Sequence, residues 1–204
     1  MKFGVIALQG DVREHIEMLE IAMDEFGIEG EVVKVKKPED LENVKGIIIP
    51  GGESTVIGRL CEKFGLLNKI RDLVVRNELA VMGTCAGLVL LAKKIVDARV
   101  GEVSQPLLGL MDISVVRNAF GRQRESFEVD LEIPEIGSSP FRAIFIRAPI
   151  VKDILNDSVK VLAKFSGKIV AVRQKNMLAL SFHPELTNDT RLHKYFLNIA
   201  TGKA

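Results

Sequence analysis

The thiols and imidazoles of this 204-residue chain are few: Cys61 and Cys85, His15, His183 and His193. Thiol chemistry therefore has few places to sit. Cys85 stands at the centre of Gly83-Thr84-Cys85-Ala86-Gly87, between the apolar runs 79–82 and 88–92. A Gly-x-nucleophile-x-Gly pattern between a strand and a helix describes a tight turn that holds a reactive side chain at a sheet edge. The helix that follows offers unpaired backbone N–H groups that favour a thiolate. A buried cysteine acting as a small hydrophobe is the competing reading, and the glycines alone do not decide between them. A base is the second requirement. His183 leaves the end of an apolar run and is followed by Pro184 and Glu185, and by strand alternation that carboxylate lies on the same side as the imidazole. Cys85, His183 and Glu185 thus form a candidate nucleophile, base and orienting acid. His15 and His193 fall inside helical patterns and read as surface or packing residues.

Two further stretches carry polar chemistry. Gly51-Gly52-Glu53-Ser54 lacks both the lysine of a phosphate loop and the spacing of a dinucleotide fingerprint. Its backbone N–H groups at Gly52, with that of Ala86, form a candidate oxyanion hole, and a plain tight turn is the alternative. The segment 117–124, Arg-Asn-Ala-Phe-Gly-Arg-Gln-Arg, places three arginines on an expected loop, where one of them could pair bidentately with a carboxylate or all could simply face solvent.

These stretches need a scaffold that brings them together. Apolar runs at 3–8, 32–35, 46–50 and 79–82 read as buried strands, and the spacing predicts helices over 12–26, 54–64, 66–77 and 86–94. That alternation describes a parallel sheet with helices on both faces, whose ligands gather at the carboxyl ends of the strands. After residue 101 the pattern changes. Residues 126–133 alternate strictly, 159–172 reads as a hairpin turning at Ser166-Gly167, 177–182 reads as a further buried strand, and 189–200 as a closing helix. The expected fold is α/β, a flavodoxin-like three-layer sandwich with a mostly parallel central sheet and antiparallel strands in the C-terminal half, forming one domain over 1–204. The segment 99–108 suggests no role.

Bulk composition excludes several classes. With 28 basic and 27 acidic residues, no global field draws the chain to nucleic acid or an anionic membrane. The longest apolar runs fall far short of the roughly 20 residues a bilayer span needs, so a soluble, cytoplasmic protein is expected. Two cysteines without CxxC or Cys/His spacing suggest neither a disulfide framework nor a zinc site. No metal and no cofactor are implied.

The stretches PGGES, GTCAG and SFHPE, in that order, resemble the triad (class I) glutamine amidotransferases. With ALQGDVREH, PGGEST, GTCAGL, RNAFGRQ, FIRAP and SFHPEL, spanning residues 7–186, the chain is similar to the glutaminase subunits of pyridoxal 5'-phosphate synthase. The resemblance implies hydrolysis of L-glutamine to L-glutamate and ammonia. It places the nucleophile on Cys85, the base on His183 and the acid on Glu185. Glutamine contacts fall on Gly51, Gly52, Glu53, Ser54, Arg117, Ile146 and Arg147. It further implies a hetero-oligomeric complex with a TIM-barrel synthase subunit that uses the ammonia to make the vitamin B6 cofactor. Gln9, in the first turn, is expected to couple partner docking to activity. Other readings stay open at this level. One is a glutaminase serving another synthase. A second is a cysteine stress protein of the same superfamily, in which a histidine commonly follows the elbow cysteine where this chain has Ala86. A third is an interaction module with a structural Cys85.

Overall fold

In the computed structural model, which describes residues 1–98, 101–120 and 126–204, the parallel half follows the apolar runs closely. The strands are β1 (Lys2–Ile6), β2 (Glu31–Val35), β3 (Val44–Ile49) and β4 (Ala80–Thr84), separated by α1 (Val12–Glu25), α2 (Ser54–Lys63) and α3 (Leu66–Val75). A short helix α4 (Ala86–Leu91) leads into β5 (Ala92–Asp97), β6 (Gly101–Glu102) and β7 (Met111–Arg117). Then come β8 (Ser126–Leu131), β9 (Phe141–Ile146), β10 (Ile150–Ile154), β11 (Lys160–Phe165), β12 (Lys168–Gln174), β13 (Met177–Leu180) and α5 (Arg191–Ala200).

The main sheet runs β2-β1-β3-β4-β13-β12-β10-β7-β5-β6, with β11 paired to β12 off this path. From β2 to β13 every pairing is parallel. Beyond β13 the strands pair antiparallel, except β5 with β7. The parallel strands are buried on both faces, so Ile47 and Ile49 of β3 join one core while Ile48 joins the other. The first core gathers Ile57 and Cys61 of α2, Leu66 and Ile70 of α3, and Leu88 of α4. The second gathers Leu19 of α1, Phe196 of α5 and the separate two-stranded sheet β8-β9. This is the three-layer α/β arrangement expected.

Several boundaries differ from the sequence reading. The fourth helix does not reach residue 94: it stops at Leu91, and Ala92 opens β5. The run Leu88-Val89-Leu90-Leu91-Ala92 is buried all round, so periodicity carries no stop signal, and pairing of β5 with β7 decides where the helix ends. β5, β7, β9 and β10 were not expected as strands, and β13 ends at Leu180 rather than 182. Arg117 is the last residue of β7, not a loop residue. Arg122 and Arg124 lie outside the described residues. Among the described residues no helix is long and apolar enough to cross a membrane.

Candidate active site

The carboxyl ends of β1, β3, β4 and β13 lie side by side because those strands are neighbours in the parallel block. Their turns are laced together by main-chain bonds. Asp11 N–H donates to Gly51 O at 3.1 Å, Cys85 N–H to Leu180 O at 2.8 Å and His183 N–H to Ile144 O at 2.9 Å. The side chain of Gln9 joins them, its Oε1 accepting from Glu53 N–H at 2.8 Å.

Cys85 has φ 48° and ψ −98°, a conformation L-residues with a β-carbon avoid and one that persists only where surrounding structure over-determines it. The flanking glycines explain why the elbow can close. A β-carbon on Gly87 would lie 2.2 Å from Ile49 O, and one on Gly83 would lie 2.5 Å from the carbonyl carbon of Gly87. Strand and helix approach too closely for side chains. The thiol is partly exposed, and its Sγ sits 3.8 Å from Ile146 O. Cys61, by contrast, is buried in the core beneath α2, and burial pushes its thiol up to about 12.

His183 is buried, with Nδ1 2.7 Å from Glu185 Oε1. The carboxylate arrives by a different route from strand alternation: β13 has already ended, and Pro184–Leu186 form a 3-10 turn that folds Glu185 back under the ring. The same Nδ1 lies 3.3 Å from Asp11 Oδ2. Burial disfavours the charged imidazole, but hydrogen bonding with Asp11, Cys85 and Glu185 and the charge of Glu185 outweigh it and push His183 up to about 12. Burial raises Glu185 above its ordinary value against the lowering influence of His183. Gly51 supports the ring from below, since a β-carbon there would lie 2.3 Å from His183 Cε1. Asp11, His183 and Glu185 have ligand-type atoms within 4.8 Å of one another, but the Nδ1 to Oε1 bond already occupies the histidine nitrogen that a cation would need.

A cleft of about 520 Å³ opens over the thiol. Gln9, Gly52, Glu53, Ser54, Cys85, Ala86, Arg117, Ile146, Arg147 and His183 all line it. Gly51 and Glu185 do not; they lie behind His183. Asp11, Val89, Asn118 and Pro149 line it as well and were missed. Three lining residues without glycine's freedom, Cys85, Asn118 and Arg147, have positive φ, which concentrates backbone strain at the cleft. Glu53 caps α2 by accepting from Val56 N–H at 2.8 Å and meets Arg117 Nη2 at 3.3 Å. Arg117 also donates to Gln105 at 2.7 Å and Thr55 at 3.3 Å, and lies 3.7 Å from Asp97. Gln105 belongs to the segment given no role, yet its Oε1 gathers Ser54, Thr55 and Arg117.

His15 and His193 are not surface residues. Both are fully buried, and His15 stands behind Glu185 with Nε2 3.3 Å from Oε2. Helical spacing puts His15 on the inward face with Met18, Leu19 and Ala22, and His193 with Phe196 and Leu197, but only the packing of α1 against α5 brings the two rings together behind Glu185.

An elbow thiol, an imidazole held by a carboxylate and a polar cleft at the edge of a parallel sheet define the class of α/β enzymes that transfer acyl groups through cysteine. The SNO glutamine amidotransferase family model matches residues 5–201, and the chain belongs to that family. It is 55% identical over 201 residues to pyridoxal 5'-phosphate synthase subunit PdxT of Methanopyrus kandleri, covering 97% of this chain and 98% of that one. To the subunit of the same name from Sulfolobus acidocaldarius it is 52% identical over 198 residues, with 97% and 98% covered. A crystal structure described as a glutamine amidotransferase superposes with a TM-score of 0.86 at 50% identity, covering 98% of both chains. A glutamine amidotransferase from Thermotoga maritima shares the fold at 15% identity, with a TM-score of 0.59 over 100% of this chain and 85% of that one.

Proposed function

We propose that the chain, as one glutaminase domain over 1–204, hydrolyses L-glutamine to L-glutamate and ammonia and passes the ammonia to a TIM-barrel synthase subunit that makes pyridoxal 5'-phosphate. The observation that carries this reading is the strained Cys85 elbow beside the His183–Glu185 pair. Identity of about half with two synthase subunits supports the pathway.

With the Cys85 proton held on His183, the thiolate sulfur attacks the side-chain amide carbon of glutamine. The N–H groups of Gly52 and Ala86 stabilise the tetrahedral oxyanion. His183 then gives its proton to the departing nitrogen, and ammonia leaves a thioester on Cys85. The same imidazole activates a water whose oxygen attacks the thioester and releases glutamate. Glu185 keeps the ring oriented and offsets its charge throughout. Glu53, Ser54, Arg117, Ile146 and Arg147 form the wall against the amino-acid end of the substrate. The Glu53 contact of Arg117, at 3.3 Å, is one that a substrate carboxylate would replace. Gln9, bonded to the Gly52-Glu53 turn, couples partner docking to that turn, and the complex works in the cytoplasm.

Cys85→Ala tests the assignment. With the synthase subunit present, ammonia release from glutamine is expected to fall to the rate without enzyme, while the variant still binds the synthase. Undiminished hydrolysis would remove Cys85 from the mechanism.

A further inference from the structure

The acid of the triad is hydrogen-bonded through one oxygen only among the described residues. Glu185 Oε1 meets His183, but Oε2 is buried and has no hydrogen-bond partner among the described residues. A buried carboxylate oxygen left in that state is costly. The group nearest to relieving it is His15, whose Nε2 lies 3.3 Å from Oε2 and 3.0 Å from Thr84 Oγ1. On its other side, His15 Nδ1 lies 3.4 Å from His193 Nε2, with the rings tilted by 52°. Behind these, His193 Nδ1 is buried without a partner among the described residues.

One arrangement of protons satisfies this chain. Burial first, then the charges of His193 and His183, hold His15 well below the ordinary histidine value, and burial lowers His193 to about 4. Both rings are therefore neutral near pH 7, each with one N–H. If His15 carried its proton on Nδ1, its Nε2 lone pair would face the carboxylate oxygen. With the proton on Nε2, the N–H is shared between Thr84 and Glu185, and Nδ1 accepts from His193 Nε2–H. The unpartnered His193 Nδ1 is then a bare acceptor rather than a stranded donor.

We propose that His15 is a positioning residue for glutamine hydrolysis: as the neutral Nε2–H tautomer, braced by His193, it donates to Glu185 Oε2 and keeps that carboxylate charged and aimed at His183. The unit becomes a relay of contacts from α5 through α1 to the triad, with Thr84, the residue before the nucleophile, as its second anchor. This rests on the glutaminase reading above. The charged or titratable groups around Glu185 are His183 and Asp11 on its outer side and His15 and His193 on its inner side, with Cys85 beyond His183.

The test uses the chain in complex with its synthase subunit. His15→Leu removes the donor at similar bulk, and His15→Gln retains an N–H near the Nε2 position. For His15→Leu, kcat is expected to fall about tenfold with the KM for glutamine within twofold of wild type. The acidic limb of its pH profile should move to higher pH, because Glu185 without its donor protonates more readily. His15→Gln should recover most of kcat and the wild-type limb. Equal losses in both variants, or a loss without movement of the limb, would overturn the proposal in favour of a purely packing role. If the variants do not fold, the ring ¹⁵N shifts of wild-type protein decide: a protonated Nε2 on His15 supports the proposal, and a protonated Nδ1 overturns it. Wild-type protein that fails to hydrolyse glutamine with its synthase would instead sink the glutaminase reading and leave the tautomer measurement standing.

Discussion

Gly51 shows how little room the imidazole has. Its hydrogen faces His183 Cε1 where a β-carbon would come within 2.3 Å, and Asp11 Oδ2 would be 2.7 Å away. The main chain at Gly51 cannot retreat, because its carbonyl accepts from Asp11 N–H. Gly51→Ala is therefore expected to displace the ring from Glu185 and Cys85 together. A loss of kcat by 100-fold or more, on the order seen when a reacting group is misplaced by about 1 Å, would be read in steady-state glutaminase assays, and near-normal kcat would show that the ring can adapt. At this scale the sequence was informative where chemistry is local. The elbow glycines, the thiol and the His-x-Glu spacing were visible because each depends on its chain neighbours. Asp11 and His15 were invisible because each meets the triad through the fold, Asp11 from the β1 turn and His15 from inside α1.

Between elements, part of the wall of the cleft is built where β7 ends at Arg117. Arg117 ties this strand to α2 through Thr55 and Glu53, and to the chain before β7 through Gln105. A lysine there keeps the charge but not the fork that serves several acceptors at once. Arg117→Lys is expected to raise the KM for glutamine about tenfold while kcat changes less than threefold; the reverse split would place Arg117 in the chemical step instead. Ile146, which also lines the cleft, ends β9, a strand held by aromatic packing. Phe127 and Phe145 stack at 4.7 Å across β8 and β9, and Phe145 reaches Phe182 beside His183. The parallel strands were legible because burial on both faces makes them continuous apolar runs. β7, β9 and β10 were not, since their alternating residues depend on which neighbour covers each face, and α4 lost its end within an unbroken apolar run.

Across the whole molecule, the two histidines behind the triad make folding sensitive to acid. His193 titrates near 4 when folded and near 6.5 when unfolded, and His15 is lowered too. Below about 6.5 the unfolded chain binds protons that the folded chain refuses, so stability falls as pH falls, and the part due to His193 is complete near 4. His193 alone accounts for roughly 3 kcal/mol over that window. Glu185, raised in the fold, opposes this at the acidic end. His183, raised to about 12, acts elsewhere: its contribution is complete below pH 6.5 and is lost on the alkaline side as pH climbs toward 12. Urea midpoints measured from pH 7 to pH 4 should drop steadily, and a flat series would mean that the buried rings accept protons without unfolding.

The contrast between the two cysteines has a practical side. Cys61 is 3% exposed and its thiol is held protonated by the core around it, while Cys85 opens into the cleft. An alkylating reagent added to the native chain therefore has one address. The number of thiols modified before unfolding counts competent elbows, one per folded molecule, and the second thiol, released only by denaturant, supplies the internal standard for that count.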